Sequence, residues 1–459
     1  MNKRGDRPKA GRLPGSYWRL WLASSISNLG DGVFAVALPL MAAQMTDSPL
    51  AIGLIAVFFS IPWLLFSLPV GVIIDRSDRR NVLVIADMSR GLLVGGFAVV
   101  VALADVQMWM LWVLAFGLGL GEVFFDNSAQ TILPMVVPHA ELERANGYFY
   151  ATEVANNTFI GMPLGSLLFG LLLWLPFGLD AASFAIAALL AMMLPGTFRT
   201  TGNGSGTTGV SPAKVSVGAD VRIGLRWLRS NTLLRNLALG VALMNLAFAA
   251  TQATFVLFVT RDLGISNGLF GPVLAVVGAG SLLAGLLGGW AVSKIGRRTA
   301  MLVAGFTPVL TTAAIGFWPT TWWVVAMTTI QALMTTVWSI VAVSLRQQIV
   351  PDHLFGRVNS VYRWVSVGVM PIGALLGGLV AGRFNLRAPY FLASGVLLLA
   401  ALLVTSRLTT SAIASATKAA ADSAMPASQD SAGPLADSMP DDADETPLLL
   451  ERGHIEDLL

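Results

Sequence analysis

Long apolar stretches separated by short polar ones dominate this chain from residue 17 to residue 407. A helix needs about 20 predominantly apolar residues to cross the hydrocarbon core of a bilayer. Twelve stretches have about that length: residues 17–44, 49–74, 80–105, 107–136, 146–173, 176–196, 233–260, 266–292, 299–318, 320–345, 358–382 and 386–407. The pattern therefore predicts an all-α integral membrane protein with twelve transmembrane helices.

Arginine and lysine are concentrated in every second loop and at the N-terminus. Two loops follow predicted helices two and eight, and their basic residues are Arg76, Arg79, Arg80, Lys294, Arg297 and Arg298. Because positively charged loops stay on the cytoplasmic side, we expect both termini to be cytoplasmic in a multi-pass protein of the cell membrane. A cleaved signal peptide is disfavoured, since the first apolar run is too long and contains Asp31.

Polar segments divide the chain into five parts. These are a basic cytoplasmic N-terminus (1–16), a first six-helix bundle (17–196), a cytoplasmic linker (197–232), a second six-helix bundle (233–407) and an acidic cytoplasmic tail predicted to be disordered (408–459). Arginines alternate with apolar residues over Ala219–Asn236, which predicts an amphipathic basic helix. This helix would lie either on the anionic membrane surface or against the bundle.

The composition narrows the possible functions. Only 12% of the residues are charged and the formal net charge is +3, which argues against a nucleic-acid partner. The chain has no cysteine and three histidines, so we expect no metal site and no cofactor. A nucleophile–histidine arrangement and an ATP-binding loop are also missing from the sequence, which argues against an enzyme.

Polar residues within the first apolar run lie on one helical face. They are Ser24, Ser27, Asn28 and Asp31. An ionisable group inside a membrane is costly unless it faces a cavity or a partner. We therefore expect Asp31 and Asn28 to line a central cavity, where Asp31 could bind and release a proton. The alternative is that hydrogen bonds fix Asp31 in a structural role.

Two further polar stripes lie on predicted helices four and five. The first holds Glu122, Asp126 and Gln130, at intervals of four residues, and the second holds Glu153 and Asn157. Such stripes are predicted to form the walls of a substrate path, or alternatively to make hydrogen bonds between helices.

Every carboxylate within the predicted spans belongs to the first half. The second half offers only uncharged polar or aromatic side chains, among them Asn245, Gln252, Gln331 and Trp338. A cavity that is acidic on one side favours a cationic or amphiphilic small molecule.

An internal repeat relates the two halves. The segment Gly71 to Arg80 aligns without gaps to Gly289 to Arg298, at an offset of 218 residues. The pattern Pro-x5-Arg-x-Asn that begins at Pro138 is repeated from Pro351. Parallel six-helix repeats are one of the known architectures of secondary transporters.

The loop Gly71-x3-Asp75-Arg76-x2-Arg79-Arg80, together with the twelve helices and the linker, resembles the major facilitator superfamily. The chain is most similar to bacterial exporters of the macrolide-efflux and siderophore-exporter type. Two features of drug antiporters differ here: the arginine in helix four is absent, and the proline/glycine element of helix five is reduced to Gly161-Met-Pro163-Leu-Gly165.

The resemblance implies that this loop is a charge-linked gate at the cytoplasmic mouth. Its residues would be Gly71, Asp75, Arg76, Arg79 and Arg80, extended by Arg90 of helix three, with Gly289, Lys294, Arg297 and Arg298 in the second repeat. The alternative is that these cations only set the topology.

Three functions remain open from the sequence. The first is a proton-coupled exporter of small amphiphilic compounds, drug-like or siderophore-like, acting as a monomer by alternating access. The second is an importer of a small nutrient, because fold does not fix direction. The third is a membrane sensor or scaffold that works through the acidic tail.

Overall fold

The computed structural model describes residues 13–138, 141–196, 198, 217–350 and 352–406, and these residues form helices joined by short connections. Twelve helices are long and apolar enough to cross a membrane. They are α1 (Gly15–Met45), α2 (Pro49–Arg76), α3 (Arg79–Leu103), α4 (Met108–Val136), α5 (Leu142–Val154, Ala155–Gly161 and Met162–Leu171), α6 (Leu175–Met192), α7 (Thr232–Gln252), α8 (Asn267–Ile295), α9 (Arg297–Phe317), α10 (Thr321–Ile349), α11 (Asp352–Gly368 and Met370–Arg383) and α12 (Ala388–Thr405). The twelve predicted helices are confirmed.

Local sequence signals fix where several helices begin. The side chain of Ser48 accepts a hydrogen bond from the backbone of Ala51 at the start of α2, and Asp78 accepts one from the backbone of Arg80 at the start of α3. These side chains satisfy backbone N–H groups that have no partner within the helix. Each helix can therefore follow its neighbour after a connection of only a few residues.

The helices pack as two bundles, α1–α6 and α7–α12. In the first, α3 packs on α4 and α6, α2 packs on α4, and α1 packs on α6 and α5; in the second, α10 packs on α8 and α9, and α12 packs on α7 and α9. The bundles meet where α2 contacts α11 and where α5 contacts α8. This arrangement positions α5 beside both halves.

The basic linker helix, Val217–Ser230, packs on α11. Leu228 is buried in the same apolar cluster as Val358 and Val361 of α11, while Arg222 and Arg229 are exposed. The prediction that this helix continues to Asn236 is wrong, because the side chain of Asn231 caps a new helix by accepting a hydrogen bond from the backbone of Leu234. The predicted acidic tail lies outside the described residues.

Contacts join the two halves at the end of the bundle remote from the basic loops. Arg261 forms an ion pair with Asp47 at 2.7 Å and donates a hydrogen bond to the carbonyl of Ala43. On the other side of the bundle, Ser166 of α5 donates to the carbonyl of Gly268 of α8. These contacts therefore hold the two halves together at this end.

Candidate functional site

Three charged side chains meet in the middle of the first bundle. Arg90 of α3 contacts Asp87 of the same helix at 2.5 Å and Asp31 of α1 at 3.5 Å. The guanidinium also donates to the hydroxyl of Ser27 at 3.3 Å. Arg90 and Asp87 are fully buried, whereas about a third of the Asp31 side chain is exposed. Asp31 is thus the member of this charge cluster that water or a ligand can reach.

Two aromatic rings hold the Arg90 guanidinium in place. Its central carbon lies 4.7 Å from the ring centre of Phe125 on α4 and 4.2 Å from that of Phe184 on α6. Such cation–π contacts are strongest when the cation is removed from water. Arg90 therefore connects four helices of the first bundle. That it also extends the loop gate stays a prediction.

The predicted stripe on α4 is divided between two environments. Glu122 and Asp126 both interact electrostatically with Arg90, and Trp63 of α2 donates a hydrogen bond to Glu122. The Oε2 atom of Glu122 is buried without a hydrogen-bond partner. Gln130 instead lines a cavity of about 260 Å³ between the halves. Only the first two residues therefore belong with the charge cluster.

Helix α5 brings Glu153 and Asn157 towards the same region. Glu153 is exposed and interacts electrostatically with Asp126 and Asp31. Asn157 lies in the π-helical turn Ala155–Gly161, a type of irregularity that is frequent at functional sites. Asn28, on α1, is half-buried.

The π-helical turn packs closely on α1. Asn156 donates to the carbonyl of Ser25 at 2.8 Å. A Cβ atom on Gly161 would lie 2.8 Å from the carbonyl oxygen of Leu29, so a larger residue does not fit there without movement. Backbone contact between α1 and α5 therefore depends on this glycine.

Asp180 of α6 is a buried carboxylate that the sequence analysis did not single out. Its side chain is fully buried, close to Gly30 of α1 and Ser183 of its own helix, and it interacts electrostatically with Asp31. The sequence signal that could have identified Asp180 is a single acidic residue inside an apolar run, which is the criterion that identified Asp31. The first bundle thus holds five acidic side chains within electrostatic range of one buried guanidinium, namely Asp31, Asp87, Glu122, Asp126 and Asp180.

The loop between α2 and α3 is tied to the end of α6. Arg80 donates to the carbonyl of Leu194 at 2.9 Å, and Arg79 lies buried beside the Met135 sulfur. Gly71 is half-buried and Arg76 is exposed, and the Asp75 side chain lies outside the described residues.

The second-repeat loop makes an equivalent connection, because Arg297 donates to the Gln348 side chain of α10 at 2.8 Å. Gly289, Lys294 and Arg298 are exposed. In each half, a basic loop is thus anchored within its own bundle, and its role as a gate stays a prediction.

A cavity with a volume of about 460 Å³ lies mainly in the second half. Residues of α7, α8, α9, α10 and α12 line it, together with three residues of α5. Asn245, Gln252 and Gln331 are on its wall, whereas Trp338 is buried in the apolar core. None of the described lining residues is charged. The expectation of a central cavity that is acidic on one side concerns the region of Asp31, Glu122 and Asp126, and it stays a prediction.

Twelve spanning helices in two similar bundles, with buried charges in one and a cavity in the other, define a secondary transporter of the major facilitator class. The family model described as "Transmembrane secretion effector" matches residues 15–434. The chain belongs to this family of major facilitator transporters, and the resemblance noted in the sequence is confirmed.

Three relatives of this chain are efflux proteins. Macrolide efflux protein A of Streptococcus pyogenes is 22% identical over 83% of this chain and 93% of its own length. The multidrug efflux pump Tap of Mycolicibacterium fortuitum is 27% identical over 82% and 92%, respectively. The enterobactin exporter EntS of Citrobacter koseri is 25% identical over 79% of this chain and 84% of its own length.

Solved structures support the fold. The nucleoside transporter NupG superimposes with a TM-score of 0.70 at 13% identity, covering 86% of this chain and all of that one. An inward-facing bacterial homologue of the human lysosomal transporter Spinster superimposes with a TM-score of 0.66 at 15% identity, covering 90% of this chain and 98% of that one. At these identities the likeness concerns the fold alone.

Proposed function

We propose that this transporter is a proton-coupled exporter of small amphiphilic compounds that works by alternating access. The observation that carries the proposal is the buried cluster around Arg90, in which acidic side chains outnumber the guanidinium. Removing charge from water without compensation is costly. Binding and release of protons would change the net charge of the cluster and so the stability of one arrangement of α1, α3 and α4 relative to another.

Asp31 is the residue through which we expect protons to enter. It is the exposed member of the Asp31–Arg90–Asp87 group, and it lies on α1 directly before Gly32, against which the backbone of α5 packs. A change in the charge of Asp31 would therefore act at a contact between two helices. The export direction is supported by three relatives that are efflux proteins.

The positions of the basic loops indicate which end of the bundle faces the cytoplasm, and this supports export. Under the positive-inside rule the basic end is cytoplasmic, and the Arg261–Asp47 contact would then close the outer end. Such a state would receive substrate from the cytoplasm. The acidic tail is not needed in this scheme, so a truncated chain that lacks residues 410–459 should retain transport.

The proposal can be tested in inside-out membrane vesicles with a panel of amphiphilic dyes, antibiotics and siderophore-like compounds. We expect energised uptake that a protonophore abolishes and that Asp31→Asn reduces at least tenfold. Asp105→Asn is the matched control, since Asp105 is an exposed acidic residue of the α3–α4 connection. Uptake that resists both the protonophore and Asp31→Asn would reject proton coupling, and accumulation only in right-side-out vesicles would indicate import.

A further inference from the structure

The large cavity of the second half has a chemistry that the charge cluster does not share. Apolar side chains, including Phe248, Phe255 and Leu274, form part of its wall, and the remainder is hydroxyl and amide groups. Its volume of about 460 Å³ is in the range of pockets for drug-sized molecules. The cavity can therefore surround a compact ligand with an apolar body.

Three threonine hydroxyls in the α10 part of the wall donate their hydrogens within the helix. Thr328, Thr335 and Thr336 donate to backbone carbonyls one turn earlier, at 2.7, 2.9 and 3.0 Å. Thr251 of α7 does the same with the carbonyl of Phe248 at 2.9 Å. A hydroxyl has one hydrogen and two acceptor sites. These four residues therefore present only acceptor lone pairs to a ligand.

Two of the three amide side chains in the wall are also fixed by hydrogen bonds that they donate. Asn245 donates to the carbonyl of Ser366 at 2.8 Å, and Gln331 donates to the hydroxyl of Thr312 at 3.0 Å. Each amide keeps its carbonyl oxygen as an acceptor of fixed orientation, together with one further N–H. Thr328, Gln331 and Thr335 follow one another at intervals of three and four residues, so these acceptors form a stripe on α10.

One buried donor in the wall has no partner. Tyr390 of α12 lines the cavity, is 3% exposed, and its hydroxyl makes no hydrogen bond. A buried polar group without a partner is destabilising. A ligand oxygen would satisfy it.

We propose that this cavity is the substrate site, and that it selects uncharged amphiphiles whose hydroxyl or N–H groups donate to the acceptor stripe on α10. An uncharged ligand is favoured because the wall contains no carboxylate to compensate a cation taken from water. The donor requirement follows from the threonines, which cannot donate to an ether or ester oxygen without breaking their bonds to the helix. This inference rests on the proposed function, because the ligand of the cavity is a substrate only if the protein transports it.

The natural absence of cysteine allows a direct test on the full-length protein in nanodiscs. Thr335→Cys places a single thiol in the cavity, and Leu310→Cys, at a residue that is 70% exposed and outside the cavity, is the control. The rate of alkylation by N-ethylmaleimide is measured with three probes of similar shape. They are 5-pentylresorcinol, its dimethyl ether, which has lost both donors, and 5-phenylpentyltrimethylammonium, which is a permanent cation.

We expect the resorcinol to slow labelling at position 335 several-fold, and the ether and the cation to have at least tenfold weaker effects, about the difference expected for one or two hydrogen bonds. No probe should affect the control thiol. Gln331→Leu in the Thr335→Cys background should weaken protection by the resorcinol, while Gln347→Leu, which changes an exposed glutamine near the end of α10, should not. Equal protection by the ether or the cation, or no protection by any probe, would overturn the proposal.

The labelling experiment needs no proton gradient, so it separates this inference from the proposed function. Asp31→Asn should abolish energised uptake in vesicles and leave protection by the resorcinol unchanged. If export proves not to be proton-coupled while protection holds, the cavity assignment stands and the coupling scheme fails. If export is coupled but labelling is never protected, the cavity assignment fails.

Discussion

Replacing Arg90 by methionine should destabilise the first bundle more than any other single change in the charge cluster. The substitution removes both ion pairs of the guanidinium and leaves Asp87, whose side chain is fully buried, without compensation. Oδ2 of Asp87 already lacks a hydrogen-bond partner, so Oδ1 would lose its partner as well. Breaking a buried pair in this way costs about 3–5 kcal/mol. We expect the free energy of unfolding to fall by that amount.

The double variant Asp87→Asn/Arg90→Met should recover most of that loss, because both charges of the 2.5 Å Asp87–Arg90 pair are then removed together. Unfolding by denaturing detergent in mixed micelles, followed by tryptophan fluorescence, gives the four free energies of the double-mutant cycle. A coupling energy of about 2 kcal/mol or more is expected. Strictly additive effects, with the double variant as unstable as the sum of the single ones, would refute the assignment of Arg90 as the compensating charge.

Three further outcomes follow from the described contacts. Gly161→Leu should abolish transport and lower stability, since its side chain would strike the α1 backbone, whereas Gly170→Leu, with open space around it, should be tolerated in the same transport and thermal-unfolding assays. Asp47→Asn should weaken the contact between the two halves only slightly, by up to about 1 kcal/mol, because the Arg261–Asp47 ion pair is exposed. The accessibility of a cysteine placed at that end of the bundle would measure this change. Arg261→Gln should have the same effect, and the two together should not be additive.

Hydropathy was sufficient to predict the helices, because a membrane span requires a long apolar run and leaves few alternatives. It was also sufficient to identify Asp31, since a carboxylate within such a run is costly and therefore conspicuous. The place of Arg90 could not be predicted in the same way. Its partners Asp31, Phe125 and Phe184 come from three other helices, and the rotation and depth of those helices decide whether the side chain meets the loop or the core.

The sequence offered Asn245, Gln252 and Gln331 as polar contacts of the second half, but it did not show that they line one cavity. The polar part of its wall is made of side chains such as threonine, asparagine and glutamine, which occur in many membrane helices as packing residues and give no distinct pattern. Whether a threonine hydroxyl is a donor or an acceptor depends on a hydrogen bond to its own helix, as at Thr328 and Thr335. That property is visible only in three dimensions.

The charges and the cavity are separate in space, and α5 is the element that contacts both. On one side of its π-helical turn, Asn156 binds the carbonyl of Ser25, two turns before Asp31 on α1. On the other side, Thr158 lines the cavity and packs against Gly278 of α8. A change of charge at Asp31 that moved α1 would therefore have to move this turn, and with it the wall of the cavity. Coupling between the two halves thus requires neither a shared carboxylate nor direct contact between proton and substrate.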